Sequence, residues 1–309
     1  MFASQLPAGY KFSFTPYLFN TAKHRMSQAN SGWVTYYWLK VKAKQVKAEW
    51  SVHIYEYEGR SPLSATFGGI EFDDSIKLKE LTDLVLNASK EIISRQVNRI
   101  SVTLPPQAYN NQRFVKAYQA FSDAGYSAFN SQVVASLTVS EHTFKSKIHK
   151  SEVKKIKKAE GLGFCFLVES VDSLFQFYDL IAACRRTKGR NLSLTRSQLE
   201  EIISYQPDKF HLYSVRHNDK LVAAAICIQL SEEVFYVFYA DHLKTYSSVS
   251  PIVQLYQGIY EDCQSKGVKI LDFGTSPEGS TTNYSLLDFK EYLGSELSLK
   301  VTFVYNGGA

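Results

Sequence analysis

The sequence has few of the residues that build metal sites or disulfide frameworks. Its 309 residues include only four cysteines, which lie far apart and form no CxxC pair, namely Cys165, Cys184, Cys227 and Cys263. The seven histidines show no HExxH or similar metal-binding spacing. These absences argue against a zinc site and against a disulfide-stapled fold. The cysteine usage is typical of a reducing cytoplasm.

Long hydrophobic runs are missing as well. The longest apolar stretch, LVAAAICIQL at 221–230, is too short to span a bilayer. The first residues, MFASQLPAGYKFSF, have no basic head followed by an apolar run, so no signal peptide is expected. The prediction is a cytoplasmic protein without a transmembrane segment, which leaves peripheral contact with a membrane open.

The net charge of the chain is small outside a single segment. The chain carries a formal net charge of +5, and residues 141–160 alone hold seven lysines against three glutamates. A general nucleic-acid groove would spread its positive charge more widely. Helical spacing predicts one basic face on a helix over 145–160, formed by Lys147, Lys150, Lys154 and Lys158. That face suits a nucleotide sugar, a tRNA backbone or an anionic lipid surface, or it is simply solvated.

Residues 272–274 spell Asp-Phe-Gly, a tripeptide that is also a protein-kinase signature. A kinase would need a glycine-rich phosphate loop and a catalytic-loop motif of the His-Arg-Asp kind, and the sequence has neither. The kinase interpretation is therefore rejected.

The hydrophobic pattern predicts an α/β chain. In the first half, strands are expected at 51–59, 99–106 and 131–140 and helices at 75–96 and 110–126, while the lysine-rich part of 33–50 stays unassigned. In the second half, the expected order is a strand (163–170), two helices (171–189 and 193–205), three antiparallel strands (210–219, 220–230 and 233–241), a helix (250–267), a strand (269–274), a helix or loop, and a strand (297–305).

Five segments carry a resemblance to a known family. They are KSKIHKSEVKKIKKAEGLGF (145–164), RRTKGR (185–190), FYAD (238–241), SPIVQLYQGIYEDCQSKGVKILDFG (250–274) and LLDFKEYLG (286–294). In this order the chain resembles the FemAB-like branch of the GNAT, or acyl-CoA N-acyltransferase, superfamily. The resemblance implies an α/β (α+β) fold of two tandem GNAT-like modules with mixed, mostly antiparallel sheets. The modules are expected at 1–144 and 145–309, the second beginning with the basic linking helix 145–160.

The function that the resemblance implies is N-acyl transfer. The donor would be acyl-CoA or a related thioester, and the acceptor an amine of an amino sugar, peptide or amino-lipid, in cell-envelope or surface-glycan biosynthesis. Two alternatives stay open. One is a non-catalytic binding module with a GNAT fold. The other is transfer of an aminoacyl group from tRNA to a peptidoglycan precursor.

The candidate catalytic residues are Lys290, Asp272 and Tyr239. The resemblance implies that the strand ending near Asp272 and the segment carrying Lys290 line the cleft of the second module. A fixed cation there would stabilise the oxyanion that develops in acyl transfer, and a carboxylate would accept a proton from the amine. The residues themselves leave simpler roles open. Lys290 could lie over Phe289 and Tyr292 at the surface, and Asp272 could cap a loop.

The candidate donor site is the stretch TYSSVSP at 245–251. GNAT enzymes commonly bind the CoA pyrophosphate through a glycine-rich loop at a helix N-terminus, and this stretch has no glycine. Tyr246, Ser247 and Ser248 are expected to border the donor, with hydroxyls and the helix start near Pro251 facing its phosphates. The simpler interpretation is a capped helix start.

A cationic cluster follows a predicted helix in RRTKGR, at 185–190. Arginine binds phosphate or carboxylate groups in a bidentate manner, so the cluster suits such a ligand. The simpler interpretation is a charged helix end that complements the helix dipole. Arg190 is assigned to the donor. The candidate acceptor-binding residues are Arg185, Lys188, Tyr284 and Lys154.

Overall fold

The computed structural model describes residues 2–3, 10–28, 32–278 and 281–307. The chain divides into two compact units, which we call unit 1 (residues 1–133 and 298–309) and unit 2 (residues 134–297). The C-terminal residues belong to unit 1 because residues 302–306 pair with residues 99–103, whereas the sequence predicted 145–309 as one module. Among the described residues, no helix combines the length and the apolar character that a membrane span requires.

Unit 1 is a sheet covered by helices. Its strands are β1 (Phe2–Ala3), β2 (Lys11–Phe12), β3 (Val34–Lys42), β4 (Gln45–Tyr55), β5 (Glu58–Ser61), β6 (Ile70–Phe72) and β7 (Arg99–Thr103). Its helices are α1 (Ala22–Ser27), α2 (Leu78–Ile93) and α3 (Asn111–Asp123). The order β1-β3-β4-β5-β7 runs across the sheet, and β2 and β6 also pair with β4.

Two segments of unit 1 differ from what the sequence indicated. The unassigned lysine-rich stretch forms the β3–β4 hairpin, whose turn has Ala43 and Lys44 at positive φ, as a two-residue turn requires. The strand expected at 51–59 is divided, because Glu56 also has positive φ and turns the chain from β4 into β5. The hairpin was not predicted because the stretch is rich in lysine. Exposed positions of a strand nevertheless tolerate long charged side chains.

The helix predicted over 75–96 is confirmed as α2. Leu81, Val85, Ala88 and Ile92 recur at helical spacing and are fully buried in the core of unit 1. Burying a Leu, Val or Ile side chain stabilises a fold by about 1.5–3 kcal/mol, so this stripe holds the helix against the sheet.

Among the described residues of unit 1, no lysine or arginine lies within hydrogen-bond distance of the buried carboxylate of Glu71. Glu71 Oε1 accepts hydrogen bonds from Asn20 Nδ2 at 2.7 Å and from the Tyr17 backbone N–H at 3.0 Å. Burial raises the pKa of Glu71 to about 7, and these two donors offset only part of that effect. The folded protein therefore binds a proton between about pH 4.5 and 7 that the unfolded chain releases, so stability falls as the pH rises through this window.

We expect Glu71→Gln to remove this pH dependence. The amide keeps an oxygen acceptor for Asn20 and Tyr17 but carries no charge. The difference in unfolding free energy between the variant and the parent should shift in favour of the variant by about 2 kcal/mol from pH 5 to pH 7. Urea unfolding at both pH values measures this shift, and a constant difference would contradict the assigned protonation.

Unit 2 repeats the sheet-and-helix arrangement. Its strands are β8 (Ser127–Thr138), which begins in unit 1, β9 (Cys165–Glu169), β10 (Phe210–His217), β11 (Lys220–Gln229), β12 (Val234–His242), β13 (Ile270–Thr275), the short β14 (Pro277–Glu278) and β15 (Thr281–Thr282), and β16 (Glu296–Asn306), which ends in unit 1. Its helices are α4 (Phe144–Lys147), α5 (Lys150–Gly161), α6 (Leu174–Arg186), α7 (Arg196–Tyr205), α8 (Pro251–Ser265) and α9 (Tyr284–Tyr292).

The sheet of unit 2 has the order β8-β13-β12-β11-β10-β9. Every neighbouring pair in it is antiparallel except β12 and β13, which are parallel. This confirms the predicted mixed, mostly antiparallel α/β fold. Local signals also hold: Asn218 and Asp219 form the β10–β11 turn at positive φ, and Pro251 starts α8.

The single basic helix expected over 145–160 is instead two helices. Ile148 and His149 are extended and separate α4 from α5. The His149 N–H donates to the Tyr292 carbonyl at 2.8 Å, and the two rings stack. Lys147 therefore stands on a different helix from Lys150, Lys154 and Lys158, which are exposed at four-residue spacing on α5.

Candidate functional site

A cavity of about 630 Å³ lies in unit 2 beyond the point where its two parallel strands separate. β12 and β13 pair only over residues 234–236 and 270–272, although β12 continues to His242. Ala240, Asp241 and His242, at the end of β12, line the cavity. Ligands of α/β proteins commonly bind beyond the carboxyl ends of parallel strands, so the position is typical of a binding site.

The backbone of β13 explains why the strands part. Gly274 has φ of +72°, and a Cβ there would lie 3.2 Å from the Tyr236 ring. The Asp272 carboxylate accepts the Gly274 N–H, and the pairing of β13 with β8 shifts register between Asp272 and Thr275. This irregular turn diverts β13 away from β12.

Cationic side chains dominate the charged groups of the cavity wall. The lining carries four cations, Lys155, Arg185, Lys188 and Arg190, against the two carboxylates Asp241 and Glu278. Asp241, only 4% exposed, binds Lys188 at 2.7 Å and lies 3.5 Å from Arg185, while Arg190 pairs with Glu278 at 2.9 Å. The excess of positive charge favours an anionic ligand.

The N-terminus of α8 contributes to the same wall. Ser247, Ser250 and Ile252 line the cavity. Ser250, the residue before the helix, has φ of 55° and ψ of 58°, a left-handed conformation that costs a non-glycine residue about 1–2 kcal/mol. A serine in this loop therefore adopts the left-handed conformation that glycine usually occupies. Its strain at a helix N-terminus next to a cationic wall is typical of a functional site.

Only some of the predicted donor residues line the cavity. Ser247 and Arg190 line the cavity, whereas Ser248 and Tyr246 are outside its lining. The Ser248 carbonyl accepts a hydrogen bond from Lys158 at 3.0 Å. The Tyr246 ring packs against Phe164, with ring centres 5.7 Å apart.

The predicted acceptor residues are divided in the same way. Arg185 and Lys188 line the cavity, but Tyr284 is 72% exposed outside it. Lys154 is also exposed outside the lining, and its neighbour Lys155 takes the position in the wall. Lys155 lies there because it binds the buried carboxylate of Glu152 at 2.7 Å, one turn earlier on α5.

The three candidate catalytic residues do not belong to the cavity lining. Lys290 is 4% exposed, and its Nζ donates to the carbonyls of Gly274 and Thr275, each at 2.8 Å. Burial lowers the pKa of Lys290 to about 8, although Asp272 acts in the opposite direction. The Tyr239 hydroxyl is 2.6 Å from the Ser193 hydroxyl and accepts the Leu194 N–H at 3.1 Å. Their catalytic roles stay predictions.

Several lining residues were absent from the sequence-based selection. They are Lys155, Asp241, His242, Ile252, Tyr256, Glu278, Asn283, Ser285, Leu286 and Phe289, with Ala240. His242 carried a usable signal, since it directly follows the strand predicted to end at 241 and precedes the candidate donor loop. Burial lowers the pKa of His242, whereas it raises the pKa of the Tyr256 hydroxyl.

Comparison with known proteins bears on the fold. Residues 145–291 match the family model of an acetyltransferase (GNAT) domain. No curated protein matches the chain in sequence.

Three solved structures illustrate the similarity of the whole chain. FemX superposes with a TM-score of 0.72 at 14% identity, covering 94% of this chain and 92% of FemX. L-PGS from Bacillus licheniformis gives 0.59 at 12% identity, covering 94% and 88%. A tandem GNAT protein from the clavulanic acid biosynthesis pathway gives 0.55 at 9% identity, covering 91% and 85%. At these identities the likeness concerns the fold, and it confirms the predicted GNAT, FemAB-like fold.

Proposed function

Because the chain has a GNAT-type, FemAB-like acyltransferase fold, we propose that it transfers an acyl group from an activated donor to an amine. The proposed donor is acyl-CoA or a related thioester. The proposed acceptor is an amine of an amino sugar, a peptide or an amino-lipid, made for the cell envelope or a surface glycan, with the reaction in the cytoplasm. One observation carries the proposal: the cavity at the end of β12 combines a cationic wall with the strained N-terminus of α8.

The charged part of the cavity suits a pyrophosphate. Arg185, Lys188 and Arg190 stand on one segment of the wall, and the first turn of α8 adds backbone N–H groups with the positive end of a helix dipole. Hydrogen bonds between ionised partners are roughly twice as strong as neutral ones. The volume of about 630 Å³ falls within the range of about 300–1,000 Å³ for small-molecule sites.

The apolar part of the cavity suits the reactive end of the donor. Ile252, Tyr256, Leu286 and Phe289 line it. Such side chains exclude water, which protects a thioester from hydrolysis and strengthens electrostatic interactions. Within the described residues, β12 has no parallel partner after Tyr236, so its backbone N–H groups on that side can stabilise an oxyanion.

We expect Arg190→Ala to weaken donor binding about tenfold, because a hydrogen bond to a charged group contributes about 1.5–3 kcal/mol. Isothermal titration calorimetry with CoA and acetyl-CoA measures this loss. Arg186→Ala is the matched control, since Arg186 is exposed four residues earlier and lies outside the cavity lining. If the two variants bind the donor with equal affinity, the donor does not bind at this wall of the cavity.

The two alternatives are outcomes of the same experiment. The exposed row of Lys150, Lys154 and Lys158 on α5 favours a nucleic-acid donor as the second candidate. If aminoacyl-tRNA is the donor, the protein should bind it and should not bind CoA. Its affinity for the tRNA should fall steeply as the salt concentration rises. Binding of either donor without acyl transfer to any amine would favour a non-catalytic binding module.

A further inference from the structure

His242, the last residue of β12, is held in the cavity by its backbone. Its N–H donates to the Asp241 carboxylate at 2.8 Å, and its carbonyl accepts the Cys184 thiol at 3.3 Å. The residue lines the cavity and is half-buried. Among the described residues, neither ring nitrogen finds a hydrogen-bond partner. The backbone of His242 is therefore held in place, and its imidazole is left without a hydrogen-bond partner in the described part of the chain.

The surroundings keep this imidazole neutral. Burial lowers its pKa most, Lys188 lowers it further, and Asp241 raises it. Asp241 is already paired with Lys188 and lies near Arg185. Burial raises the pKa of the Cys184 thiol, which therefore stays uncharged. From β11, the residue opposite His242 is the apolar Ala223, and Lys155 is the lining cation from α5.

The other acid–base groups of the cavity lining are occupied or unsuited. Asp241 is held by two cations, and Glu278 by Arg190. Burial raises the pKa of the Tyr256 hydroxyl, so it stays protonated at neutral pH. His242 alone in this lining offers a free, neutral acceptor for a proton.

We propose that His242 is the general base of acyl transfer, the catalytic residue that deprotonates the acceptor amine; this rests on the proposed function. A protonated amine gives one proton to the free imidazole nitrogen. Its nitrogen then attacks the donor carbonyl carbon, the C–N bond forms and the C–S bond breaks. The second amine proton passes to the departing thiolate, giving a thiol, and the imidazolium returns its proton to solvent. General-base catalysis typically contributes about 10²–10⁴-fold.

The test uses acetyl-CoA as donor and glucosamine, a lysine-containing peptide and phosphatidylethanolamine vesicles as acceptors. We expect His242→Gln to lower kcat about 100-fold, to leave CoA affinity within about twofold, and to abolish the acidic limb of the pH–rate profile. Added imidazole should restore part of the rate. His142→Gln is the matched control, because His142 is exposed in the same unit. Parental turnover with an intact acidic limb in His242→Gln would overturn the proposal.

A second measurement needs no acceptor. NMR titration of the His242 ring in the CoA-bound protein should show a neutral imidazole at pH 7, and an imidazolium there would overturn its role as base. Failure of the proposed function looks different: the parent protein would then bind neither CoA nor acetyl-CoA and would acetylate none of the three acceptors, whatever the state of His242.

Discussion

Replacing Lys290 by methionine should lower the free energy of unfolding by about 2–6 kcal/mol. The Nζ group donates to the carbonyls of Gly274 and Thr275, and all three groups lie where α9 meets the end of β13. Methionine keeps most of the apolar stem but leaves both carbonyls without this donor. An unsatisfied buried polar group costs about 1–3 kcal/mol, which gives the expected range for two. Urea unfolding at pH 7 measures the change.

The pH dependence of the same variant checks the cause. Burial lowers the pKa of Lys290 to about 8, from 10.5 in an unfolded chain. Between these values the unfolded chain binds a proton that the folded protein has lost, so this group adds stability as the pH rises. The stability difference between the parent and Lys290→Met should therefore grow from pH 8 to 10.5.

Lys157→Met is the matched control, since Lys157 is exposed on α5 and its replacement should leave stability nearly unchanged. Turnover per folded molecule separates the structural role from the catalytic role predicted from the sequence. A fall of about 10²–10³ in that quantity, with parental stability, is the result that would favour an oxyanion-stabilising lysine over a structural one.

Gly258→Ala is expected to destabilise unit 2 by about 3 kcal/mol. Gly258 lies inside α8, where alanine would ordinarily stabilise a helix by about 0.5–1 kcal/mol. Here the new Cβ would lie 2.2–2.4 Å from three ring atoms of Phe166, on β9. Overpacking of this kind typically costs about 1–3 kcal/mol, and the position near the base of the ring leaves little room for relief.

A double-mutant cycle assigns this loss to the contact. In a Phe166→Ala background, Gly258→Ala should be neutral or stabilising, because the obstructing ring is gone. Gly161→Ala, at the end of α5, is the control with nothing within 4 Å of its Cβ position. Equal losses at Gly258 in both backgrounds would mean that another constraint holds the glycine there.

The sequence by itself determined those features that depend on neighbours along the chain. The helical spacing of Leu78, Leu81, Leu84 and Val85 predicted α2, and Asn218-Asp219 and Pro251 marked a turn and a helix start. The order of elements in the second half also sufficed for the fold, because each strand and helix must bury one apolar face. Within 185–190, the type and spacing of the cations pointed to Arg185, Lys188 and Arg190, which line the cavity.

Only the tertiary structure decided which polar groups face the cavity and which are used inside the fold. Lys290 is bound to carbonyls 15 and 16 residues away, and the basic helix is interrupted by a contact between His149 and Tyr292. His242 lines the cavity because β12 continues beyond the residues that pair with β13. Each of these outcomes depends on packing between distant segments. A lysine or histidine has the same local propensity whether its partner is a carbonyl, a ring or a ligand.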